Sequence, residues 1–330
     1  MSYRSTVARQ PESLHDCLVA RDEIETIDLW PFRSGAVAVT GIGASFAAAV
    51  VVAGELQRRE RRAYPVRSVD MMEGGDFADS IIALSHRGRS IETVQSLQRH
   101  PKAATLAITK DAASPLAEAA DLHVHLENGS DATPSSTGYT GTLLVAGLLL
   151  EKLCGRTSTD WDRIPQLAAE VLDRAAEKMP RLKEHFRERR AIDCVGAGSS
   201  LGTAEGAALL IREAARVPAG PSDTRHYLHG PMESMDSTTG VVVFGDGREV
   251  QLALQLKEIG CPVFLVTADE EIKDSGIMTV VKIPRQENRI ARGILDILPA
   301  QLLAAELSDA AGLTDTKFRY PQTDTKIKAA

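Results

Sequence analysis

Aromatic side chains are scarce in this chain, making up 4% of its 330 residues, with two Trp among them. That scarcity argues against a surface on which nucleobases stack. Positive charge is not in excess either: 38 Lys and Arg face 45 Asp and Glu, a net of −7. No basic face therefore draws nucleic acid or anionic membrane, and an anionic ligand must be gripped by local donors. Cysteines are few. Cys17, Cys154, Cys194 and Cys261 lie far apart, with no C-x-x-C pair and no ligand-like spacing to histidine. No disulfide or metal role is expected, and a reducing cytoplasm is the simplest setting. Residues 35–54 come nearest to a long apolar run, but Thr40, Gly41, Gly43 and Ser45 interrupt them. A strand, a turn and a helix account for that stretch better than a membrane span. Met1 to Ala20 has no apolar core, so a secretory signal is not expected.

What is present is one device used twice. Val37-Ala38-Val39-Thr40-Gly41-Ile42-Gly43-Ala44-Ser45 runs into an alanine-rich, helix-prone stretch that ends at Arg59. Asp193-Cys194-Val195-Gly196-Ala197-Gly198-Ser199-Ser200 runs into a second such stretch through Glu213. Each is a short apolar strand, a Gly-x-Gly-x-Ser turn and a helix. Such a turn aims free backbone N–H groups and the positive end of a helix at an incoming anion. Two copies of one α/β unit are expected, binding a phosphorylated small molecule.

The length suits two domains, each able to bury its own core. The pattern predicts an N-terminal helical arm (1–28), a first unit (29–155), a helical connection (156–190), a second unit (191–312) and a polar tail (313–330). In the first unit, strands are expected at 36–40, 66–69, 80–84, 105–109 and 122–126, with helices at 45–59, 90–98, 114–120 and 140–153. In the second, strands are expected at 192–195, 240–244, 262–267 and 278–283, with helices at 201–215, 249–259 and 294–311. Alternation of this kind implies mostly parallel, doubly wound sheets with right-handed crossovers.

The densest cluster of polar chemistry is Ser85-His86-Arg87-Gly88-Arg89-Ser90, which follows an apolar strand and opens a helix. Ser85, Ser90 and backbone N–H groups near Gly88 would converge there, with Arg87 adding charge, as a phosphate cradle requires. An ordinary turn with a serine N-cap would use the same residues.

Taken together, Gly43-x-Ser45, Ser85-x-x-Gly88-x-Ser90 and Ser114-Pro115-Leu116-Ala117 resemble the sugar isomerase (SIS) domain. That resemblance implies a phosphosugar-binding αβα fold, here in tandem over residues 5–320. The double arrangement is similar to the isomerase half of glucosamine-6-phosphate synthase and to stand-alone isomerases, hexosamine-phosphate deaminases and fructosamine-phosphate deglycases. Residues 129–137 resemble the family's acidic–Ser–Thr loop. By that likeness Ser136 and Thr137 would hold the sugar; Asp131 replaces the usual glutamate, and Gly138 stands where lysine is common. Read alone, those hydroxyls would equally cap the helix that follows.

The resemblance also nominates catalytic groups. Glu213 stands at the family's spacing from Gly198 for the carboxylate that moves a proton between sugar C1 and C2. His229, in Leu228-His229-Gly230-Pro231, matches the loop histidine credited with ring opening, which often reaches into a neighbouring subunit. A carboxylate near C1/C2 and an acid/base for the ring oxygen suffice for aldose–ketose chemistry. Some residues depart from the pattern. Leu210 stands where a lysine often precedes the glutamate, and His86-Arg87 replaces the commoner Gln-Ser. Phe318-Arg319 matches the lead-in to a C-terminal lysine, but Thr323 holds its place, leaving Lys326, Lys317 or neither to serve.

Other chemistries fit less well. Phe46 and Leu201 occupy the third glycine position of a dinucleotide fingerprint in both copies, against the close helix–strand packing that motif needs. Met1-Ser2-Tyr3 offers no N-terminal cysteine for a glutaminase, and no G-x-S-x-G elbow supports Ser/His/Asp hydrolysis. The expectation is a cytoplasmic phosphosugar isomerase or deaminase, dimeric with shared sites. Gly43, Ser45, Ser85, His86, Arg87 and Ser90 would hold the phosphosugar beside Ser136 and Thr137. Glu213, His229 and Lys326 would be catalytic. No metal or organic cofactor is expected, because backbone donors can stabilise an enediol. The alternative is a regulatory protein that binds a sugar phosphate without turning it over.

Overall fold

A computed structural model describes residues 2–313 and 318–328; Lys317 lies outside the described residues. The first sheet contains β1 (Val37–Gly41), β2 (Ala63–Arg67), β3 (Ser80–Leu84), β4 (Ala104–Thr109) and β5 (Leu122–His125), in the order β2-β1-β3-β4-β5. The second contains β6 (Ile192–Gly196), β7 (Ala219–Ser222), β8 (Gly240–Phe244), β9 (Val263–Thr267) and β10 (Met278–Lys282), in the order β7-β6-β8-β9-β10. Every pairing is parallel. The two orders are the same order. Even the edge strands correspond: Pro65 pairs opposite Val39, and Pro221 opposite Cys194, each the middle residue of the unit's first strand. Proline cannot donate to a ladder, which is why it is confined to edges.

The inner strands are apolar on both faces because both faces are covered. One face of each sheet joins a single apolar cluster that runs through the whole molecule. It takes Val39, Ile82 and Leu106 from the first sheet, and Ile192, Val242 and Phe264 from the second. The opposite faces feed two smaller outer clusters, one around Ile81 and Leu97 and one around Val241 and Leu256. The two units thus share one core, and each keeps a smaller cluster on its outer face. The helices Ala44–Arg58, Thr137–Cys154, Ile164–Phe186, Ser200–Leu210 and Arg289–Ala310 all contribute to the shared cluster.

The contact between units depends on small residues. A Cβ at Gly202 would lie 2.5 Å from the Ala47 carbonyl oxygen, and one at Gly54 would lie 2.9 Å from Ser199 Cβ. The first helix of each unit therefore crosses the other at near-backbone distance. The N-terminal arm forms three helices, Tyr3–Ala8, Gln10–Cys17 and Ala20–Thr26. It buries Tyr3, Val7, Leu14 and Cys17 in the shared cluster. Gln10 Nε2 donates to Gln301 Oε1 (2.7 Å), which ties the arm to the last helix. Among the described residues, no helix is long and apolar enough to cross a membrane.

In each sheet the chain turns one way from the first strand, β1 or β6, to β2 or β7, and then the other way to β3 or β8. This leaves a crevice past the carboxyl ends of β1 and β3, and another past β6 and β8. Ligands of open α/β sheets bind at such switch points.

Candidate active site

The crevice past β1 and β3 opens into a cavity of about 520 Å³, a size that suits a small organic ligand. Gly43 and Ser45 enter from the turn after β1, and Ser85, His86, Arg87 and Ser90 from the turn after β3. Gly43 has φ of +60° and Gly88 +62°, backbone that L side chains avoid. At Gly88 a Cβ would also collide with Ser114, whose hydroxyl caps the helix Pro115–Ala119. The Leu116 N–H donates to the Gly88 carbonyl (3.0 Å). One part of the motif thus braces another.

Two readings of Ser90 were open, and its contacts separate them. Ser90 precedes the helix Ile91–Gln98, but its side chain makes no capping bond. Its Oγ lies 3.5 Å from Ser85 Oγ and accepts from Lys326 Nζ at 2.6 Å. Two buried hydroxyls and an ammonium meet at one point, with the exposed Arg87 beside them. The tail reaches this point by an antiparallel bridge between Ser90 and Lys326, with the Ile327 N–H donating to the Arg89 carbonyl (2.9 Å). Burial pushes the Lys326 ammonium below its usual range, while nearby Glu92 pulls it part of the way back.

His86 is bound through Nε2 to Asn128 Oδ1 (3.1 Å), and Asn128 Nδ2 donates to Thr137 Oγ1 (3.1 Å). Burial lowers its pKa, so the neutral ring with its proton on Nε2 suits this chain of bonds. The ring also explains Gly138: a Cβ there would lie 2.9 Å from His86 Cγ. A histidine at 86 and a lysine at 138 would compete for one space.

Glu213 arrives from the other unit. It sits in a π-helical turn, Ile211–Ala215, that follows the helix Ser200–Leu210 and ends at Arg216 with φ of 59°. Turns of this kind are frequent at functional sites. Leu209, Leu210 and Glu213 line the same cavity as Ser85, Arg87 and Ser90. Burial alone pushes the Glu213 carboxyl up to about 7. Among the described residues no hydrogen bond or ion pair engages it.

Three expected residues are not at the cavity. Ser136 and Thr137 are fully buried. Ser136 Oγ donates to Thr6 Oγ1 (2.8 Å), Thr137 Oγ1 accepts from Asn128, and Asp131 accepts from the Ser136 and Gly138 N–H groups. Their hydroxyls are spent within the protein, so the sugar-holding role given to them is corrected. Thr133 and Ser135 of the same loop line the cavity instead. The sequence held no sign of that shift, because it follows from Asp131 drawing the next residues inward. His229 is exposed, on the loop after the short helix Thr224–Tyr227, and does not line the cavity. Glu92, with a buried carboxylate oxygen lacking a hydrogen bond among the described residues, lines the cavity and went unnoticed in the sequence.

Residues 32–152 match the SIS domain family. The chain thus carries a SIS domain over its first sheet. It is 23% identical over 283 residues to the isomerizing glutamine–fructose-6-phosphate aminotransferase of Sulfolobus acidocaldarius, covering 82% of this chain and 48% of that protein. The chain thus spans about half the length of the curated relatives it matches. Its fold is shared with glucosamine-6-phosphate deaminase from Thermotoga maritima (TM-score 0.79, 18% identity, 98% of each chain). Tagatose-6-phosphate ketose/aldose isomerase from Escherichia coli is equally similar (TM-score 0.79, 17% identity, 97% of each chain). The SIS match ends before the second sheet, whose strand order nonetheless repeats that of the first. Among the described residues, no group of three His, Cys, Asp or Glu side chains is placed to hold a metal ion.

Proposed function

We propose that this SIS-domain protein is a cytoplasmic phosphosugar isomerase acting by aldose–ketose proton transfer. The observation that carries the reading is Glu213: a carboxyl at about 7, unengaged among the described residues, in one cavity with Ser85, Ser90, Arg87 and Lys326. Carbon acids need a base that is ionised at working pH yet basic enough to take a proton, and desolvation supplies it. The phosphate would rest on Ser85, Ser90 and Arg87, aided by the N–H groups at the start of the helix Ala44–Arg58. Lys326, bonded to Ser90, would join Arg87 in holding the phosphate and would not serve in the proton shuttle. The sugar would then extend past Thr133 and Ser135 toward Glu213.

In this arrangement Glu213 removes the proton from C2 of an aldose or C1 of a ketose and returns it to the adjacent carbon. The enediol formed between the two steps would be held by cavity donors. Where nitrogen is attached at C1 or C2, the same proton transfer turns the C–N bond into an imine, which one water hydrolyses to a carbonyl and free ammonia or amine; condensation of the amine with loss of water is the reverse. The names of the T. maritima and E. coli structures, a deaminase and a ketose/aldose isomerase, support both branches. Ring opening by His229 requires a homodimer, since within one chain that residue lies outside the cavity. Mixing Glu213→Gln with His229→Ala subunits would then restore activity through hybrid sites; unrestored activity would remove His229 from the mechanism.

The test of the activity is proton exchange. Hexose, hexosamine and fructosamine 6-phosphates incubated with the protein in heavy water should show one substrate that gains deuterium at C1 or C2. A sugar phosphate that binds tightly without exchange, isomer or ammonia would instead mark a regulatory binding protein.

A further inference from the structure

The cavity holds a histidine of its own. His86 directly follows Ser85, and both line the same space. Its Nε2 is fixed by Asn128 Oδ1 at 3.1 Å. Asn128 is fully buried and is held in turn: its side-chain amide donates to Thr137 Oγ1 (3.1 Å), and its carbonyl accepts from Ser13 Oγ (2.9 Å). With the Nε2 proton spent on Asn128, the other ring nitrogen, Nδ1, presents a lone pair. A Cβ at Gly138, which also lines the cavity, would lie 2.9 Å from Nδ1. Glycine there keeps the space beside Nδ1 open. Among the described residues Nδ1 makes no hydrogen bond. Burial favours the neutral ring, opposed by nearby Asp131 and by the Asn128 bond.

Position on the turn decides which step this nitrogen suits. If phosphate rests at Ser85 and Ser90, the ring oxygen of a cyclic hexose 6-phosphate is joined to it through O6, C6 and C5. A side chain next to the phosphate turn can reach that oxygen and the anomeric hydroxyl together, because both are bonded to one carbon. His229 is exposed and does not line the cavity within one chain. We propose that His86 opens the sugar ring within a single chain. Nδ1 takes the proton of the anomeric hydroxyl, and the electron pair of that O–H bond becomes the second bond of the new carbonyl. The bond from the anomeric carbon to the ring oxygen breaks, its electron pair stays on the oxygen, and Nδ1 returns the proton there. The imidazole ends as it began, and no other reactant is consumed. The assignment rests on the phosphosugar reading. It adds an activity that does not need Glu213: interconversion of α and β anomers, by opening, rotation and reclosure.

Exchange NMR between the two anomers tests it on the full chain, with glucose, fructose and glucosamine 6-phosphates as probes at saturating concentration. The unaltered protein and Glu213→Gln should both speed anomer exchange of whichever probe binds. His86→Gln, which keeps a donor for Asn128, should reduce that acceleration by roughly 10²-fold. Imidazole added to His86→Ala should restore part of it, a recovery that a loss of packing alone would not allow. Acceleration that persists in His86→Gln would overturn the assignment, as would its loss in Glu213→Gln or in His229→Ala. A His86→Ala protein that imidazole leaves slow would overturn it too, by assigning the loss to packing. If calorimetry shows a probe to bind, yet its anomers exchange only at the buffer's rate, ring opening by His86 falls and the proton shuttle of Glu213 stands. If no probe binds, the phosphosugar reading falls with it.

Discussion

The two crevices of this molecule are built on sheets of the same strand order, yet the turns past β3 and β8 differ in what their side chains leave for a ligand. Past β3, Ser85 and Ser90 turn their hydroxyls toward one another and toward a cavity, with Arg87 alongside. Past β8, the corresponding turn is Gly245-Asp246-Gly247, and its one polar side chain is already committed. Asp246 accepts from Thr267 Oγ1 (2.7 Å), the Ala268 N–H (2.8 Å) and Arg292 (2.8 Å). Burial works against its ionisation, but those bonds outweigh it and hold the carboxyl at about 2. A duplicated scaffold thus need not mean a duplicated site. Loop chemistry decides whether the electropositive end of a crevice faces a ligand or an internal carboxylate. The second unit contributes instead through the end of its first helix, where Glu213 faces the first unit's cavity.

That comparison can be broken most directly at the two turns. Ser85→Ala with Arg87→Ala should weaken sugar-phosphate binding by roughly 2–4 kcal/mol, since charged hydrogen bonds are lost. The matched change in the other crevice, Asp246→Ala, should leave affinity within about twofold and cost about 2–3 kcal/mol of stability, because Arg292 loses a partner in a largely buried site. Titration calorimetry and denaturant unfolding separate the two effects. If Asp246→Ala abolished binding while keeping stability, the division of labour would be wrong.

The next effect sharpens the contrast between a carboxyl that is satisfied and one that is not. Glu213 is raised in the folded state from its ordinary 4.5 to about 7. Its buried protonated form therefore costs nothing below about pH 4.5, and the penalty of burying its charge grows as pH rises toward 7. Glu213→Gln should then be more stable than the unaltered protein by roughly 1–3 kcal/mol at pH 8, and the gain should vanish near pH 4.5. A gain independent of pH would show that the carboxyl is not desolvated. Activity has the opposite sign: kcat/KM should fall as pH drops through 7 and the base is protonated. The smallest effect is expected at Lys326. Placed on Ser90, it should act on binding, so Lys326→Ala should raise KM about five- to tenfold with little change in kcat. A collapse of kcat at unchanged KM would return it to the chemistry.

How much of this could be read from residues alone depends on how local each signal is. Strands β1, β3, β4, β6, β8 and β9 are apolar runs ended by Gly or polar turns, and they lie within a residue or two of their expected places. Edge strands were harder to see. The strand expected at 66–69 lies at Ala63–Arg67, since Ser68–Glu73 is helical, and Ala219–Ser222 carries Gly and Pro that hide its extended form. The helix expected at 201–215 stops at Leu210, and its last residues form the π turn that carries Glu213. At the site, the Ser85–Ser90 cluster was legible because its chemistry lies within six consecutive residues. The Lys326–Ser90 contact joins residues 236 apart, and nothing near either position announces it. The displacement of Ser136 and Thr137 by Thr133 and Ser135 depends on which way Asp131 turns its neighbours. Composition carries no such information.

The central claim is that the second unit supplies the base for a phosphosugar held by the first. Deuterium incorporation at C1 or C2 of the substrate in heavy water, measured for the unaltered protein and for Glu213→Gln, tests this most directly. Glutamine keeps the shape and hydrogen-bonding capacity of the side chain but cannot accept the proton. Exchange should fall by roughly 10²- to 10⁴-fold while substrate affinity stays within a few fold. Exchange that persists at the unaltered rate with Glu213→Gln would contradict the account.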